Sequence, residues 1–183
     1  MLETFTHRLR AVEPEDIDSL MRWENDSSTW WLGSVTAPFS RALLERYIES
    51  GQDIYADKQI RLMLEAKSEA AIESGWQTVG SVDLYDFDPR NLRAGVGIIT
   101  DIAYRRQGHA SAGLNLLRNY AFKHLSLHQL FAEVPASNEA SVKLFQKAGY
   151  ISGEKKSDWI KGECGWEDVL CMQFMNDFVN DAG

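Results

Sequence analysis

The sequence has few of the features that define disulfide-rich, metal-binding or membrane-spanning proteins. Its 183 residues include two cysteines, Cys164 and Cys171, which are too few for a disulfide framework and lack metal-ligand spacing. No apolar run approaches the length of a membrane span. The start of the chain has no basic segment followed by an apolar one, so we expect no signal peptide. These absences predict a cytoplasmic protein with no metal and no membrane partner.

Positive charge is also scarce, because 19 lysines and arginines are set against 27 aspartates and glutamates, which leaves a formal net charge of −8. Binding to nucleic acid without sequence preference needs a basic face, so we expect no nucleic-acid partner. An acidic surface instead tolerates or attracts a cationic substrate. Hydrophobic residues make up 44% and charged residues 25%, as in ordinary globular proteins. The length suits one domain, which we place at residues 1–183.

Hydrophobic periodicity predicts alternating strands and helices with no internal repeat or linker. Strands are predicted at residues 7–12, 60–66, 78–85, 94–100, 130–134, 150–157 and 167–174. Helices are predicted after Pro14, after Ser40 as a capping residue, over residues 108–125, and from Asn138 to Ala148, where Gly149 follows. This order, β-α-α-β-β-β-α-β-α-β-β, predicts a mixed sheet covered by helices.

The segment RRQGHA, Arg105 to Ala110, follows a strand and leads into the longest predicted helix. The first turn of a helix has unpaired N–H groups and the positive end of the helix dipole. Gly108 and Ala110 have little steric bulk, so a diphosphate can approach the backbone closely there. Arg105 and Arg106 add positive charge in an acidic protein. Taken alone, the segment is either a pyrophosphate-cradling loop or a basic helix start with a glycine turn.

Two motifs resemble those of the GNAT superfamily of acetyltransferases. RRQGHA is similar to the cofactor motif Gln/Arg-x-x-Gly-x-Gly/Ala, which follows the fourth strand in that superfamily. Leu130 to Val134 (LFAEV) and Asn138 to Tyr150 (NEASVKLFQKAGY) resemble its fifth strand and the helix motif N-x-x-(A/S)-x-x-(L/I)-Y-x-x-x-G-(F/Y). Residues 8–16, RLRAVEPED, are similar to the opening of the branch that contains ribosomal-protein and spermidine acetyltransferases. The resemblance covers nearly the whole chain.

The resemblance implies an α/β (α+β) fold with a mixed, mostly antiparallel sheet of six to seven strands and about four flanking helices. It also implies a splay between strands 4 and 5, where the thioester sits. The implied activity is the transfer of an acetyl group from acetyl-CoA, a co-substrate, to a primary amine by direct attack, with no metal.

The resemblance places acetyl-CoA against three parts of the chain. The end of strand 4 would offer main-chain groups to the pantetheine arm, the loop would cradle the pyrophosphate, and the second motif would line the channel near the acetyl group. The implied cofactor-binding residues are Ile98, Ile99, Thr100, Arg105, Arg106, Gln107, Gly108, His109, Ala110, Ser111, Asn138, Ser141 and Phe145. The side chain of His109 itself is expected to face solvent.

Direct attack needs a neutral amine, so a base must remove a proton, either directly or through water. Glu133 is the candidate base, since it matches the glutamate of the "LEV" strand in bacterial ribosomal-protein alanine acetyltransferases. We expect it to be buried near apolar neighbours; the alternative is a partnered carboxylate on the opposite face of the sheet. Asp83, Asp86 and Asp101 are alternative bases or acceptor-side anchors, or ordinary acids of strand ends and turns.

The proton donor that the resemblance implies is missing. The usual acid of the superfamily is a tyrosine of the second motif, and this chain has Phe145 there. Gly95 stands where the fourth strand often carries a glutamate. The remaining acid candidates are Ser141 and Tyr150, and core packing is the alternative role of Tyr150.

The acceptor is expected to bind Trp30, Trp31, Tyr85 and Asp86, because an aromatic-lined slot suits an alkyl-ammonium chain or a peptide N-terminus. Capping of the core is the alternative role of the tryptophans.

Three functions remain open at this point. Glu133 favours a protein or peptide N-terminal α-amine, or a related small amine, as the acceptor. The alternative is a diamine or polyamine, although residues 30–36 lack the acidic residues that the spermidine branch carries nearby. An acyl-CoA-binding module without turnover is the alternative of another class, prompted by Phe145 and Gly95. The oligomeric state is open as well, a homodimer included.

Overall fold

The strands of this protein lie in one sheet, seen in a computed structural model that describes residues 2–32, 35–68, 75–162 and 165–176. The strands are β1 (His7–Ala11), β2 (Ile60–Lys67), β3 (Trp76–Asp88), β4 (Arg93–Thr100), β5 (Gln129–Pro135), β6 (Ile151–Gly162) and β7 (Gly165–Met175). Their order across the sheet is β1-β2-β3-β4-β5-β7-β6. Neighbouring strands are antiparallel except β4 and β5, which are parallel. Cys164 lies outside the described residues.

The helices of the described ranges flank this sheet on both faces. They are α1 (Ile17–Glu24), α2 (Arg41–Glu49), α3 (Ile54–Asp57), α4 (His109–Lys123) and α5 (Glu139–Lys147), with 3₁₀ helices at Pro14–Asp16, Ser27–Leu32 and Ile102–Tyr104. Side-chain caps define two of the starts: Ser40 accepts the Leu43 N–H before α2, and Asn138 accepts the Ser141 N–H before α5. None of these helices is long and apolar enough to cross a membrane.

Two hydrophobic cores hold the layers together. On one face, α4 and α5 cover the larger core, which includes Leu64, Val82, Leu117 and Leu130. On the other face, the smaller core contains Val12, which follows β1, together with Leu20 and Trp23 of α1, Leu44 of α2 and Met63 of β2. Each fully buried leucine contributes roughly 2 kcal/mol to stability relative to an exposed one.

The β4–β5 pair separates partway along its length. The two strands pair at Arg93–Gln129, Ala94–Leu130 and Gly95–Phe131, and the described pairing ends there. β4 then continues to Thr100 beside β3, whereas β5 continues to Pro135 beside β7. Beyond Gly95 the edge of β4 that faces β5 therefore presents main-chain donors and acceptors without a strand partner. This confirms the predicted splay between strands 4 and 5.

The predicted order of strands and longer helices is confirmed, and the differences are local. Helix α3 is too short to show a periodic pattern; Asp53 starts it by accepting the Tyr55 N–H. Strand β3 extends to Asp88, beyond the predicted end at residue 85, because the ladder absorbs an irregularity between Tyr85 and Asp88. Asp86 lies within that irregularity with a left-handed backbone, at φ 47°.

Candidate active site

The N-terminus of α4 is open. Gly108 precedes it in a left-handed conformation at φ 89°, and within the described chain no side chain caps it. A Cβ built on Gly108 meets no described heavy atom within 4 Å. The Ala112 N–H donates to the Gly108 carbonyl, so the three preceding N–H groups of the helix lack an intrahelical acceptor. Free N–H groups and the helix dipole together suit a diphosphate, so these residues fit the pyrophosphate of acetyl-CoA.

Arginines and a glutamine shape the rest of this loop. Arg105 donates from Nε to the Thr100 carbonyl, at 3.2 Å, and so ties the loop to the end of β4. Gln107 donates to the Ala103 carbonyl at 3.3 Å. Arg106 is exposed and has a second left-handed backbone, at φ 64°. The guanidinium groups leave positive charge beside the open helix end.

His109 is directed toward β1 and not toward solvent, so that expectation was wrong. Its Nδ1 lies 2.9 Å from Nε2 of His7, and its ring packs near the Tyr104 ring. Burial lowers the pKa of His109; for His7, burial and then the charge of His109 lower the pKa. Lowered pKa values favour the neutral form of both histidines at neutral pH. The two residues are far apart in the chain, so local sequence patterns do not reveal their contact.

The second motif contributes one helix cap and two core aromatics. Asn138 uses Oδ1 to cap α5, at 3.2 Å from the Ser141 nitrogen, so its Nδ2 is the atom left for a ligand. Phe145 is 3% exposed, and its ring centroid lies 5.0 Å from that of Tyr150. Tyr150 also packs against Phe174, and burial raises the pKa of its phenol. The structure thus places Tyr150 and Phe145 in the core, while Ser141 is half-buried.

The end of β4 lies along the splay, as the cofactor assignment requires. Ile98, Ile99 and Thr100 are half-buried and pair with β3 on one edge only. Their other edge faces the gap that opens beyond Gly95. Ala110 and Ser111 are half-buried in the first turn of α4.

Glu133 is exposed and ion-paired. It lies on the sheet face opposite Leu130, Ala132 and Val134, and its Oε1 accepts from the Lys156 ammonium. The expectation that Glu133 is buried among apolar neighbours was wrong, because the outward residues of β5 alternate with the core residues. The alternative, a partnered carboxylate on the opposite face, is what the structure shows.

Tyr85 occupies the closed end of the splay. It is the register partner of Gly95, and a Cβ added to Gly95 would overlap the Tyr85 ring. The ring meets Phe131 of β5 edge-on, with centroids 5.8 Å apart. Burial raises the pKa of Tyr85 to about 12, although the main-chain N–H of Glu133 favours the ionised phenol. One side chain from β3 thereby spans β4 and reaches β5.

An acidic groove of about 370 Å³ lies on the same face of the sheet. Its lining residues are Asp86, Asp88, Arg93, Gln129, Phe131, Glu133, Cys171 and Gln173. Arg93 pairs with Asp88 at 3.5 Å, as Lys156 pairs with Glu133. Among the described residues, the Asp86 carboxylate has neither a hydrogen-bond nor an ion-pair partner. Asp86 therefore carries the uncompensated negative charge of the groove.

Two other acids proposed from the sequence are already engaged. Asp83 and Glu24 both pair with Arg61, and Asp83 accepts from the Arg61 Nε at 2.5 Å. Asp101 accepts from the Trp23 indole at 2.9 Å and from Arg22 at 2.7 Å. These acids hold α1 against the sheet, which leaves Asp86 and Glu133 facing the groove.

The two tryptophans are separate from that groove. Trp30 and Trp31 are half-buried in the 3₁₀ helix Ser27–Leu32, where their indoles donate to the carbonyls of Glu24 and Ser28 at 2.8 and 3.1 Å. That helix lies against β6. The four predicted acceptor-binding residues therefore do not form one slot: Asp86 lines the groove, Tyr85 lies at the splay, and the two tryptophans line neither.

Comparison with known proteins identifies the family. Residues 7–151 match the model of the acetyltransferase (GNAT) domain, so the chain belongs to the GNAT acetyltransferases. It is similar to spermidine N(1)-acetyltransferase of Escherichia coli strain K12, with 27% identity over 150 residues, which cover 80% of this chain and 74% of the relative. It is also similar to an uncharacterized SPbeta prophage-derived N-acetyltransferase of Bacillus subtilis strain 168, with 25% identity over 166 residues, covering 89% and 86%.

Solved structures share the fold. Spermidine N-acetyltransferase of Vibrio cholerae, in complex with CoA and spermine, superposes with a TM-score of 0.80 at 20% identity, covering 92% of this chain and 95% of that one. A dodecameric structure of spermidine N-acetyltransferase from the same organism has a TM-score of 0.76 at 21% identity, covering 97% and 98%. The protein is thus an acetyl-CoA-dependent N-acetyltransferase, as its sequence motifs predicted.

Proposed function

We propose that this enzyme acetylates a primary amine of a diamine or polyamine. The observation that carries the proposal is the acidic groove beside the splay, in which Asp86 has no described partner. The similarity to spermidine N(1)-acetyltransferase supports the same acceptor class. Both favour the polyamine alternative over the protein N-terminal amine that Glu133 favoured in the sequence.

Charge separation within the acceptor explains why a polyamine suits this site. The reacting nitrogen must be neutral to attack, whereas a second nitrogen of the same molecule stays protonated and needs a carboxylate. Asp86 can hold that ammonium group, because Asp88 and Glu133 are already paired. The net charge of −8 draws a polycation toward the surface.

The acid–base groups are part of the proposal. Glu133 remains the candidate base, since its carboxylate lines the same groove as Asp86. It would take the proton of the attacking amine directly or through a water molecule, once the Lys156 ammonium moves aside. Pyrophosphate binding is assigned to the open start of α4, and pantetheine binding to the free edge of β4.

We also propose the domain organisation, the cellular compartment and the oligomeric state of the enzyme. We place residues 1–183 in a single domain, because the described strands all belong to one sheet. We propose that the protein acts in the cytoplasm and that its copies associate. The description of a Vibrio cholerae relative as dodecameric supports association.

Thiol release from acetyl-CoA, measured with a panel of acceptors, tests the function. The panel contains spermidine, spermine, a diamine, a monoamine of equal chain length and a peptide with a free N-terminus. We expect kcat/KM to be at least about tenfold higher for the polyamines than for the monoamine, since one added charge-assisted contact contributes about 1.5–3 kcal/mol.

Two outcomes contradict this proposal. A preference for the peptide would restore the N-terminal amine as the acceptor. Binding of CoA in a calorimeter, without thiol release on any amine, would indicate the module without turnover.

A further inference from the structure

The point where β4 and β5 separate contains one hydroxyl group in an unusual position. Tyr85 is contributed by β3, yet its ring lies over Gly95 of β4 and against Phe131 of β5. Phe131 belongs to the last β4–β5 pair, and Glu133 is the second residue beyond it. The phenol oxygen, which faces the Glu133 main-chain N–H, therefore sits where the gap between the strands begins.

The Tyr85 ring can lie over residue 95 because Gly95 has no side chain. The ring atoms of Tyr85 nearest Gly95 are Cε2 and Cζ, and Cζ carries the hydroxyl group. Any residue with a Cβ at position 95 would displace the hydroxyl end of the ring. The pair Tyr85–Gly95 thus places a hydroxyl group of β3 beside the free edge of β4.

We propose that the Tyr85 hydroxyl is the proton donor to the thiolate that leaves during acetyl transfer. The inference concerns the acetyl-CoA side of the reaction and holds for whichever primary amine is acetylated. It assigns the proton transfer that Phe145 cannot perform, because phenylalanine has no exchangeable proton. The high pKa of Tyr85 keeps the group protonated at neutral pH.

In this step Tyr85 both gives up a proton and receives one. The amine nitrogen bonds to the acetyl carbon, and the carbon–sulfur bond breaks with its electron pair on sulfur. Glu133 has already taken the proton of the ammonium form, so the attacking nitrogen is neutral and must give up one further proton after it bonds to carbon. The phenol oxygen takes that proton while the sulfur takes the hydroxyl proton of Tyr85. Tyr85 ends the step as it began, so its high pKa is no obstacle to passing a proton from nitrogen to sulfur.

Tyr150 is the competing donor and must be separated from Tyr85 by experiment. It lies close enough for the charge of Tyr85 to influence its pKa. Its ring, however, is 5% exposed and packs between the rings of Phe145 and Phe174. Tyr85 is half-buried, and the hydroxyl end of its ring lies over Gly95, where the splay begins.

The test compares the variants Tyr85→Phe, Tyr150→Phe and Tyr55→Phe. Tyr85→Phe keeps the ring that packs on Gly95 and Phe131 and removes the hydroxyl alone. Tyr55 is 57% exposed on α3, so Tyr55→Phe is a matched loss of a hydroxyl outside the splay.

The first measurement needs neither an acceptor nor turnover, so it stands apart from the polyamine proposal. CoA is bound to each protein, and the ionisation of its thiol is followed by the ultraviolet absorbance of the thiolate as the pH rises. A hydroxyl that donates to sulfur stabilises the thiolate, so the bound thiol should ionise about one pH unit lower in the wild type than in Tyr85→Phe. Tyr55→Phe should match the wild type.

The second measurement is acetyl transfer with the best acceptor of the panel. Tyr85→Phe should lower kcat about 100-fold and leave the calorimetric affinity for CoA within about twofold, because a hydroxyl at the splay does not touch the pyrophosphate loop. Gly95→Ala should lower kcat as well, since the added Cβ displaces a Tyr85 ring that is still present. Identical thiol titrations in Tyr85→Phe and the wild type would overturn the proposal, as would a shift that appears with Tyr150→Phe instead.

Discussion

His7 on β1 and His109 at the start of α4 share a hydrogen bond of 2.9 Å between Nε2 and Nδ1. The contact joins residues 102 positions apart and ties the first turn of α4, where we propose that the pyrophosphate binds, to β1. The Thr6 hydroxyl lies 2.9 Å from the other ring nitrogen of His7, and the Tyr104 ring packs on His109. These described contacts of the two half-buried imidazoles are all with neutral groups, so none of them favours a protonated ring.

We expect this pair to make the free protein less stable in acid. Burial lowers the pKa of both histidines in the folded chain, so below their ordinary value of 6.5 the unfolded chain binds more protons. Stability is therefore unaffected by the pair above about pH 6.5 and falls as the pH drops through that value. Urea unfolding midpoints at neutral and mildly acidic pH, compared between the wild type and His7→Gln, measure the effect.

The variant should lose less stability than the wild type over the same pH interval. Saturating CoA should also reduce the acid loss, since a bound pyrophosphate favours a protonated His109. An equal pH dependence in both proteins would contradict this account of the pair.

Gly108→Val should lower CoA affinity at least about tenfold, because its side chain would project into the space where the pyrophosphate approaches. The variant should also lose about 1–2 kcal/mol of stability from the left-handed backbone at φ 89°. Gly51→Val is the matched control, since Gly51 has φ 68° and is equally open. Calorimetry should show the affinity loss in the first variant alone; equal affinities in both would refute the loop assignment.

Asp86→Asn should raise the KM for polyamines about tenfold, because it removes the uncompensated charge of the groove. Asparagine tolerates the left-handed backbone at φ 47°, so the fold should be unchanged. Asp57→Asn on α3 makes the same change of charge away from the groove. Steady-state kinetics with spermidine and a monoamine decide the matter: a KM that rises equally for both acceptors would argue against an ammonium site at Asp86.

Glu133→Gln should lower kcat about 100-fold at neutral pH if the carboxylate is the base. Lys156→Gln breaks the same exposed ion pair but keeps the carboxylate, so it controls for loss of the pair, which contributes at most about 1 kcal/mol to stability. The pH–rate profiles of both variants are the measurement. A wild-type profile in Glu133→Gln would remove Glu133 as the base and leave it as an acceptor contact.

The element order and the glycine before α4, to which we assign pyrophosphate binding, follow from the amino-acid sequence alone. Local causes explain this: periodicity sets a helix or strand over a few turns, Ser40 caps one helix start through the Leu43 N–H, and the left-handed Gly108 precedes another. The motifs around Gly108 and Asn138 also identified the superfamily and the acetyl donor, which the family match confirms, and implied the splay, which the pairing of β4 and β5 shows.

The surroundings of the candidate acid, base and acceptor-binding residues depend on the tertiary structure. Whether Glu133 is buried or paired with Lys156, and whether Tyr85 covers Gly95, depends on strand register, and a shift of one residue would reverse each side chain's face. Asp83 and Asp86 are three residues apart, yet Arg61 neutralises the first and no described group neutralises the second. Contacts between residues far apart in the chain carry this information, and local sequence patterns do not encode it.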